Sequence, residues 1–412
     1  MKKRIFSLML ALVLLSFPVL MTSCSIRESR TTTLYVYNWG EYISDGSEDS
    51  YDSNAAFEQW YYETYHERVE VNYSTYSSNE SLLAKLSSGS VSYDVIVPSD
   101  YMIERMIEED MLAPLRYENI PNAKTNLRPE FFGENAKFDE YDKGNVYSVP
   151  YFYGMIGIIY NQDLVLDQKN VGSWALMWDE TYAGNILQFN NSRDAFGTAQ
   201  YYLGSDVNSD NREDWENALA LLKKQKPIVQ GYVMDEIFNK MENGSAAIAA
   251  YYAGDFLAMY ENNDALEFFY PKEGTNLYVD AMCIPKDSEN KLIAERYINF
   301  MLEEEPAVAN AEYTYYASPN RLVYENEEYR AYLDDIKEGA FDTMYDPESM
   351  KTASFYRNLE DDKLVLLNSL WEDLKSDISI SSGIYVICAI ILILLLGSFI
   401  FFALRKRYRN NY

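Results

Sequence analysis

Between Thr33 and Pro98 the chain alternates short β-rich runs with helical patterns, and this alternation restricts the fold more than any other feature. Thr33-Leu34-Tyr35-Val36-Tyr37 is followed by a helical stretch near Ala55 to Thr64, then by Val69-Glu70-Val71-Asn72-Tyr73. A second helical stretch around Glu80 to Leu86 leads into Asp94-Val95-Ile96-Val97-Pro98, a continuous apolar run of the kind found in a parallel strand covered on both faces. Strand, helix, strand, helix, strand requires right-handed crossovers and predicts a parallel α/β sheet. Ser99-Asp100 is expected to cap a helix whose apolar side is Met102, Ile103, Met106 and Ile107. That places Ser99 and Tyr101 at the carboxyl end of a strand beside a helix N-terminus, where open α/β sheets bind ligands.

Further along, Val146 to Pro150 and Met155 to Tyr160 read as two strands entering a second lobe, with Gly154 between them. Ser173-Trp174 to Trp178 opens a short helix, Asn185 to Phe189 is a strand, and Asp214 to Lys224 is an amphipathic helix stopped by Pro227. Ala246 to Tyr252 and Leu277 to Ile284 read as strands that bring the chain back toward the first lobe. Ser44 to Ser53 is an acidic surface loop.

Both ends carry apolar segments. Lys2, Lys3 and Arg4 precede the run Ile5 to Leu20 and then Met21-Thr22-Ser23-Cys24, the order expected of an export signal at 1–23. Cys24 stands where a lipobox carries its lipid-modified cysteine, although Met21 occupies a position that usually holds Leu. Ile384 to Leu404 is long enough for a helix to cross a bilayer, and the basic tail 405–412 puts that end in the cytoplasm. The portion between the two is thus expected on the outer face of the membrane. It divides into a linker at 24–32, a first lobe at 33–140, a second at 141–276, and a return at 277–378 whose terminal helices pack across both lobes.

The formal charge of −29 includes three basic residues in the signal and four in the tail, with no acids in either, leaving about −36 for the portion between. Such a field repels nucleic acid and collects cations, although acidity also serves solubility. Of the three cysteines, Cys24 and Cys388 belong to the terminal segments, so Cys283 has no partner for a disulfide inside the exported portion. About 350 residues between the segments are enough for two lobes with separate cores.

Much chemistry is missing. His66, the single histidine, sits in a turn-like Tyr65-His66-Glu67-Arg68, which argues against a catalytic triad or a histidine-ligated metal. Cys283 lies in an apolar strand and reads as core. Asp206-Val207-Asn208-Ser209-Asp210 starts like a calcium loop, but Asn211 and Asn217 stand where Gly and Glu are needed. No glycine-rich phosphate or dinucleotide loop is present, so neither an enzyme nor a nucleotide cofactor is indicated.

What remains is aromatic residues beside carboxylates at strand ends, a combination that suits an ammonium group. Tyr37-Asn38-Trp39-Gly40-Glu41-Tyr42, Ser74-Thr75-Tyr76-Ser77-Ser78-Asn79-Glu80 and Val97-Pro98-Ser99-Asp100-Tyr101 closely resemble the spermidine/putrescine-binding proteins of bacterial ABC importers. The likeness continues through Ser173-Trp174-Ala175-Leu176-Met177-Trp178, Pro271-Lys272-Glu273-Gly274 and Ser318-Pro319-Asn320, over about residues 33 to 325. It implies the two-lobed α/β fold of type II periplasmic binding proteins, a polyamine ligand, ABC permease subunits and a separate ATPase. It also implies a site. Trp39, Tyr42, Ser99 and Tyr101 would line the wall of the first lobe; Asn191 and Asp194 match a pair of acids that grip an amine; Tyr251 and Tyr278 stand where the family commonly has Trp; Asp280 matches its central acid; and Tyr316 closes the pocket. Asn191 in place of a carboxylate and Gly40 in place of a hydrogen-bonding side chain depart from the pattern, and two remaining acids suit a diamine at least as well as a triamine. The expected mechanism is hinge closure of the lobes around a polyamine lying between stacked rings. The same fold serving another cation such as thiamine, or an extracytoplasmic sensor, stays open on the sequence.

Overall fold

The computed structural model describes residues 31–89, 91–134 and 136–376. The signal segment, Cys24, the apolar run 384–404 and the basic tail lie outside the described residues. No helix among the described residues is long and apolar enough to cross a membrane.

Among the described residues nine strands join in the order β2-β1-β3-β9-β4-β7-β5-β6, with β8 pairing on β4. In the first lobe, β1 (Thr32–Trp39) runs parallel to both β2 (Val69–Tyr76) and β3 (Val95–Ile96). Along β1, Leu34, Val36 and Asn38 are buried while Tyr35 is exposed, the period-two pattern of a pleated strand. The crossovers are α1 (Ser53–Tyr65), capped by Asp52 at Ala55 N, and α2 (Asn79–Ser87), which opens with a capping box between Ser78 and Ser81. After β3 comes α3 (Asp100–Glu108), which buries Met102, Ile103 and Met106 as the spacing requires. Ser99 occupies the N-cap position, but its side chain makes no capping bond, contrary to the sequence expectation. Its hydroxyl instead accepts from Asn79 Nδ2 at 3.0 Å.

The connection to the second lobe corrects the reading of two short strands. β4 (Ser148–Asn161) is one continuous strand of 14 residues, and the irregularity lies between Pro150 and Phe152, not at Gly154. A bulge absorbs the missing proline donor without ending the ladder. The first part of β4 pairs antiparallel with β9 (Leu277–Cys283), and its end pairs with β7 (Ile248–Tyr252) and β8 (Leu266–Phe269). β9 also meets β3, so β4 and β9 are the two strands shared between the lobes. β7 stays in the second lobe, parallel to β5 (Ile186–Phe189), which pairs in turn with β6 (Val229–Val233). Only β9, and not β7, carries the chain back.

Helices of the second lobe are α4 (Ser192–Leu203), α5 (Arg212–Gln225) and α6 (Ala253–Asn262). After β9, α7 (Lys291–Met301) and α8 (Glu304–Thr314) pack against α1, whereas the last described helix, α9 (Asp361–Ser376), packs against α4 and α5. Leu367, Leu370 and Leu374 of α9 join Phe196, Trp215, Leu219 and Leu222 in a separate apolar cluster. Each fully buried leucine there contributes roughly 2 kcal/mol of transfer free energy. The chain after β9 therefore serves both lobes.

Candidate functional site

A cavity with about 780 Å³ of space free of protein atoms, part of it open to solvent, lies between the lobes at the carboxyl ends of the strands. Chain topology accounts for its acidity. Asp100, Asp194 and Asp255 each sit in the first turn of a helix, α3, α4 and α6, that directly follows a strand. A helix N-terminus favours a carboxylate in that turn. Asp280 reaches the same space from the middle of β9. Counting Glu41 and Asp235, six acidic side chains line the cavity, and no Lys, Arg or His does among the described residues.

Three of these carboxylates are each held by one tyrosine. Tyr42 donates to Asp280 Oδ2 at 2.7 Å, Tyr252 to Asp194 Oδ2 at 2.8 Å, and Tyr316 to Asp255 Oδ2 at 2.9 Å. So few hydroxyl donors do not replace the water that burial removes. Burial pushes Asp280 up to about 6, with the Ser99 and Tyr42 hydroxyls pulling it back. It pushes Asp194 up to about 7 against the Tyr252 hydrogen bond, and Asp255 up to about 8 against that of Tyr316. Burial also raises Asp100 well above the usual carboxylate range. Asp280 Oδ1, the Tyr278 hydroxyl and Asn276 Oδ1 are buried lining atoms with no hydrogen bond of good geometry among the described residues. Buried polar atoms usually find a partner, and these three belong to residues lining one shared space.

All ten side chains named from the resemblance line this one cavity: Trp39, Tyr42, Ser99 and Tyr101 from the first lobe, Asn191, Asp194 and Tyr251 from the second, with Tyr278, Asp280 and Tyr316 between. Trp39 is fixed by its indole N–H donating to Val97 O at 2.9 Å, and Tyr101 by Asn79 at 3.1 Å and Glu80 at 3.0 Å. The oxygen of Asn191 is committed elsewhere, capping α4 through Arg193 N and Asp194 N. Cavity rings meet one another edge-on: Tyr42 with Tyr316 at 85°, Tyr252 with Tyr278 at 78°, Tyr101 with Tyr356 at 74°. Two glycines make room for them. A Cβ on Gly154 would fall 2.4 Å from the Tyr278 hydroxyl, and one on Gly254 2.4 Å from Tyr316 Cδ2.

Sequence reasoning missed Tyr252, Asp255, Asp235 and Tyr356. Tyr251 and Tyr252 are consecutive, and only the turn from β7 into α6 decides that Tyr252 holds Asp194 while Tyr251 stacks on Phe189. With Asp255 and Asp235 present, the argument for a diamine from two acids no longer holds. His66 does not line the cavity and is exposed at the C-terminal end of α1 in left-handed conformation.

Comparison with known proteins fits this geometry, for residues 55–334 match the profile described as bacterial extracellular solute-binding protein. The chain belongs to that family. Among relatives of this solute-binding protein, the spermidine/putrescine-binding periplasmic protein of Escherichia coli is 33% identical over 289 residues, covering 70% of this chain and 78% of the relative. The putrescine-binding periplasmic protein of the same organism is 30% identical over 305 residues, 70% and 78% of the two chains. A solved putative spermidine/putrescine ABC transporter protein from Listeria monocytogenes superposes with TM-score 0.73 at 33% identity, over 84% of this chain and 99% of that one. These likenesses establish the two-lobed α/β fold of periplasmic binding proteins and a role in solute binding.

Proposed function

We propose that this solute-binding protein captures a polyamine, putrescine or spermidine, outside the cytoplasmic membrane and delivers it to an ABC permease driven by a separate ATPase. The observation that carries this reading is three buried carboxylates, each tethered to a tyrosine, in a cavity that no basic side chain lines among the described residues. An ammonium group supplies the missing counter-charge. The carboxylates then release their protons and form charge-assisted hydrogen bonds, while the tyrosine and tryptophan rings attract the cation through their quadrupoles. Asp280 and Asp194 hold two ammonium positions, and Asp255 offers a third anion. The polar orphans on Asn276 and Tyr278 take up remaining N–H donors.

The lobes close about β4 and β9, and ligand bridging both walls holds them closed. Solute-binding proteins of this family serve transport, and delivery of the ligand unchanged needs no bond of it to be made or broken. The names of the relatives and the acidity of the cavity support a polyamine over another cation. In addition, Cys24 serves as a lipid attachment point and 384–404 as a membrane helix with its basic tail in the cytoplasm, a reading supported by sequence. Tethering would keep the receptor concentrated at its permease.

Titration calorimetry on the full chain in detergent micelles, with putrescine, spermidine and thiamine in competition, tests the ligand. Saturable binding of a polyamine that thiamine fails to displace is expected. Tighter binding of thiamine, or of an anion, would replace the reading.

A further inference from the structure

Residues Phe355 to Leu359 form a strap that contacts both lobes. On the second lobe, Asn208, in the loop between α4 and α5, grips this strap twice: Nδ2 donates to Phe355 O at 2.8 Å and Oδ1 accepts from Arg357 N at 2.9 Å. Arg193 of α4 reinforces the grip, donating to Asn208 Oδ1 at 2.7 Å and to Arg357 O at 3.3 Å. On the first lobe, the Arg357 guanidinium meets Glu104 of α3 with two prongs, Nη2 to Oε1 at 2.5 Å and Nε to Oε2 at 3.1 Å. Asn358 adds its backbone N–H to Glu104 at 2.7 Å and its amide to Glu108 at 2.6 Å. Glu104, with 16% of its side chain exposed, thus faces a donor set carried by a segment pinned to the opposite lobe.

Between these two grips lies Tyr356, which lines the ligand cavity and packs its ring 4.5 Å from the Arg193 guanidinium. The strap therefore touches the ligand space and bridges the lobes within three consecutive residues.

We infer that Arg357 is a positioning residue for ligand capture: clasped by Glu104, it holds α3 against the second lobe and keeps the cavity walls, Tyr101 and Tyr356 among them, at binding distance. This rests on the binding function proposed above. The clasp adds to the population of the closed form, and apparent affinity scales with that population. Two-pronged arginine–carboxylate contacts are stronger than single ones, but 44% exposure of the Arg357 side chain leaves this one open to screening. An effect of about fivefold on affinity is therefore expected, not a complete loss.

The test uses the full chain in detergent micelles, comparing wild type, Arg357→Ala, Glu104→Gln and the double variant. Putrescine and spermidine affinities and dissociation rates are measured at low and high salt, and backbone hydrogen exchange of residues 99–108 is followed without ligand. Each single variant should bind about fivefold more weakly, mainly through faster dissociation, with a smaller gap at high salt. The double variant should lose less than the two single losses combined, because both remove the shared Arg357–Glu104 contact, while Asn358 on Glu104 and Glu140 on Arg357 are contacts of one residue alone. In both singles, residues 99–108 should exchange faster. Additive losses, or dissociation and exchange both unchanged, overturn the clasp. If wild type binds neither amine, the proposed function falls, and the exchange measurement alone decides the clasp.

Discussion

The Tyr42 hydroxyl donates to Asp280 Oδ2 at 2.7 Å while Oδ1 of the same carboxylate is buried without a hydrogen bond of good geometry. The acid is half satisfied, which destabilises the empty protein and favours a cation. Asp280→Asn should therefore weaken polyamine binding at least tenfold, about 1.4 kcal/mol, and raise the melting temperature of the ligand-free chain. Tyr42→Phe should weaken binding less and lower that melting temperature, since it removes the one good donor to a buried carboxylate. Calorimetry and thermal melts read both effects; an unchanged affinity in Asp280→Asn would remove this residue from the site.

The raised carboxylates also predict a pH dependence. Folded-state values of about 6, 7 and 8 for Asp280, Asp194 and Asp255 lie above the usual 3.8, so between these limits the fold holds protons that the unfolded chain has released. Stability of the ligand-free protein should therefore be greatest near the acid end of this window and fall as pH rises from about 4 to about 8. Polyamine affinity should change in the opposite sense, tightening over the upper part of the window, because the cation binds the deprotonated acids. Binding near neutral pH should release protons, visible as a dependence of the calorimetric enthalpy on buffer ionisation. A melting temperature that rises with pH in the empty protein would contradict this account.

Gly254 fixes where Tyr316 can stand, since an added Cβ would come within 2.4 Å of its ring. Gly254→Ala must push that ring away and break its 2.9 Å bond to Asp255. The helix gains propensity by about 1 kcal/mol, but overpacking costs about 1–3 kcal/mol, so a modest net loss of stability is expected. Ligand affinity should fall by a larger factor than stability alone explains. Melts and calorimetry on the same variant separate the two, and native affinity would show that Tyr316 is not needed in its present place.

The first lobe was readable because its elements are local: β1, α1, β2 and α2 each carry their own periodicity and caps. β4 was misread as two strands because Pro150 and Gly154 break strands by local rules, whereas pairing with β9 on one side and β7 on the other carries the ladder through. In the site, Asp194 and Asp280 were legible from their motifs. Asp255 and Tyr356 were not: the first depends on how β7 turns into α6, and the second lies in an aperiodic strap placed by Asn208 and Arg357, each more than a hundred residues from its partner in the contact. The side chain of Ser99 could not be assigned from sequence either, because Asn79, twenty residues earlier, competes for its hydroxyl.

A buried carboxylate far from the cavity provides the contrasting case. Glu295 of α7 has no exposed side-chain surface and accepts from Arg116 N at 3.0 Å, from the Arg116 guanidinium at 3.1 Å and from Asn119 Nδ2 at 2.6 Å, with Lys291 nearby at 3.9 Å. Unlike Asp280, it is fully answered by protein donors, so its role is to fix the 116–119 turn onto α7. Glu295→Ala leaves those donors without their shared acceptor and should cost about 3 kcal/mol of stability. Polyamine affinity should stay within about twofold of wild type, because no cavity residue touches it. Denaturant melts and calorimetry check the pair of outcomes, and a large affinity loss here would mean that the acidic cavity is not set apart from the rest of the fold as its geometry indicates.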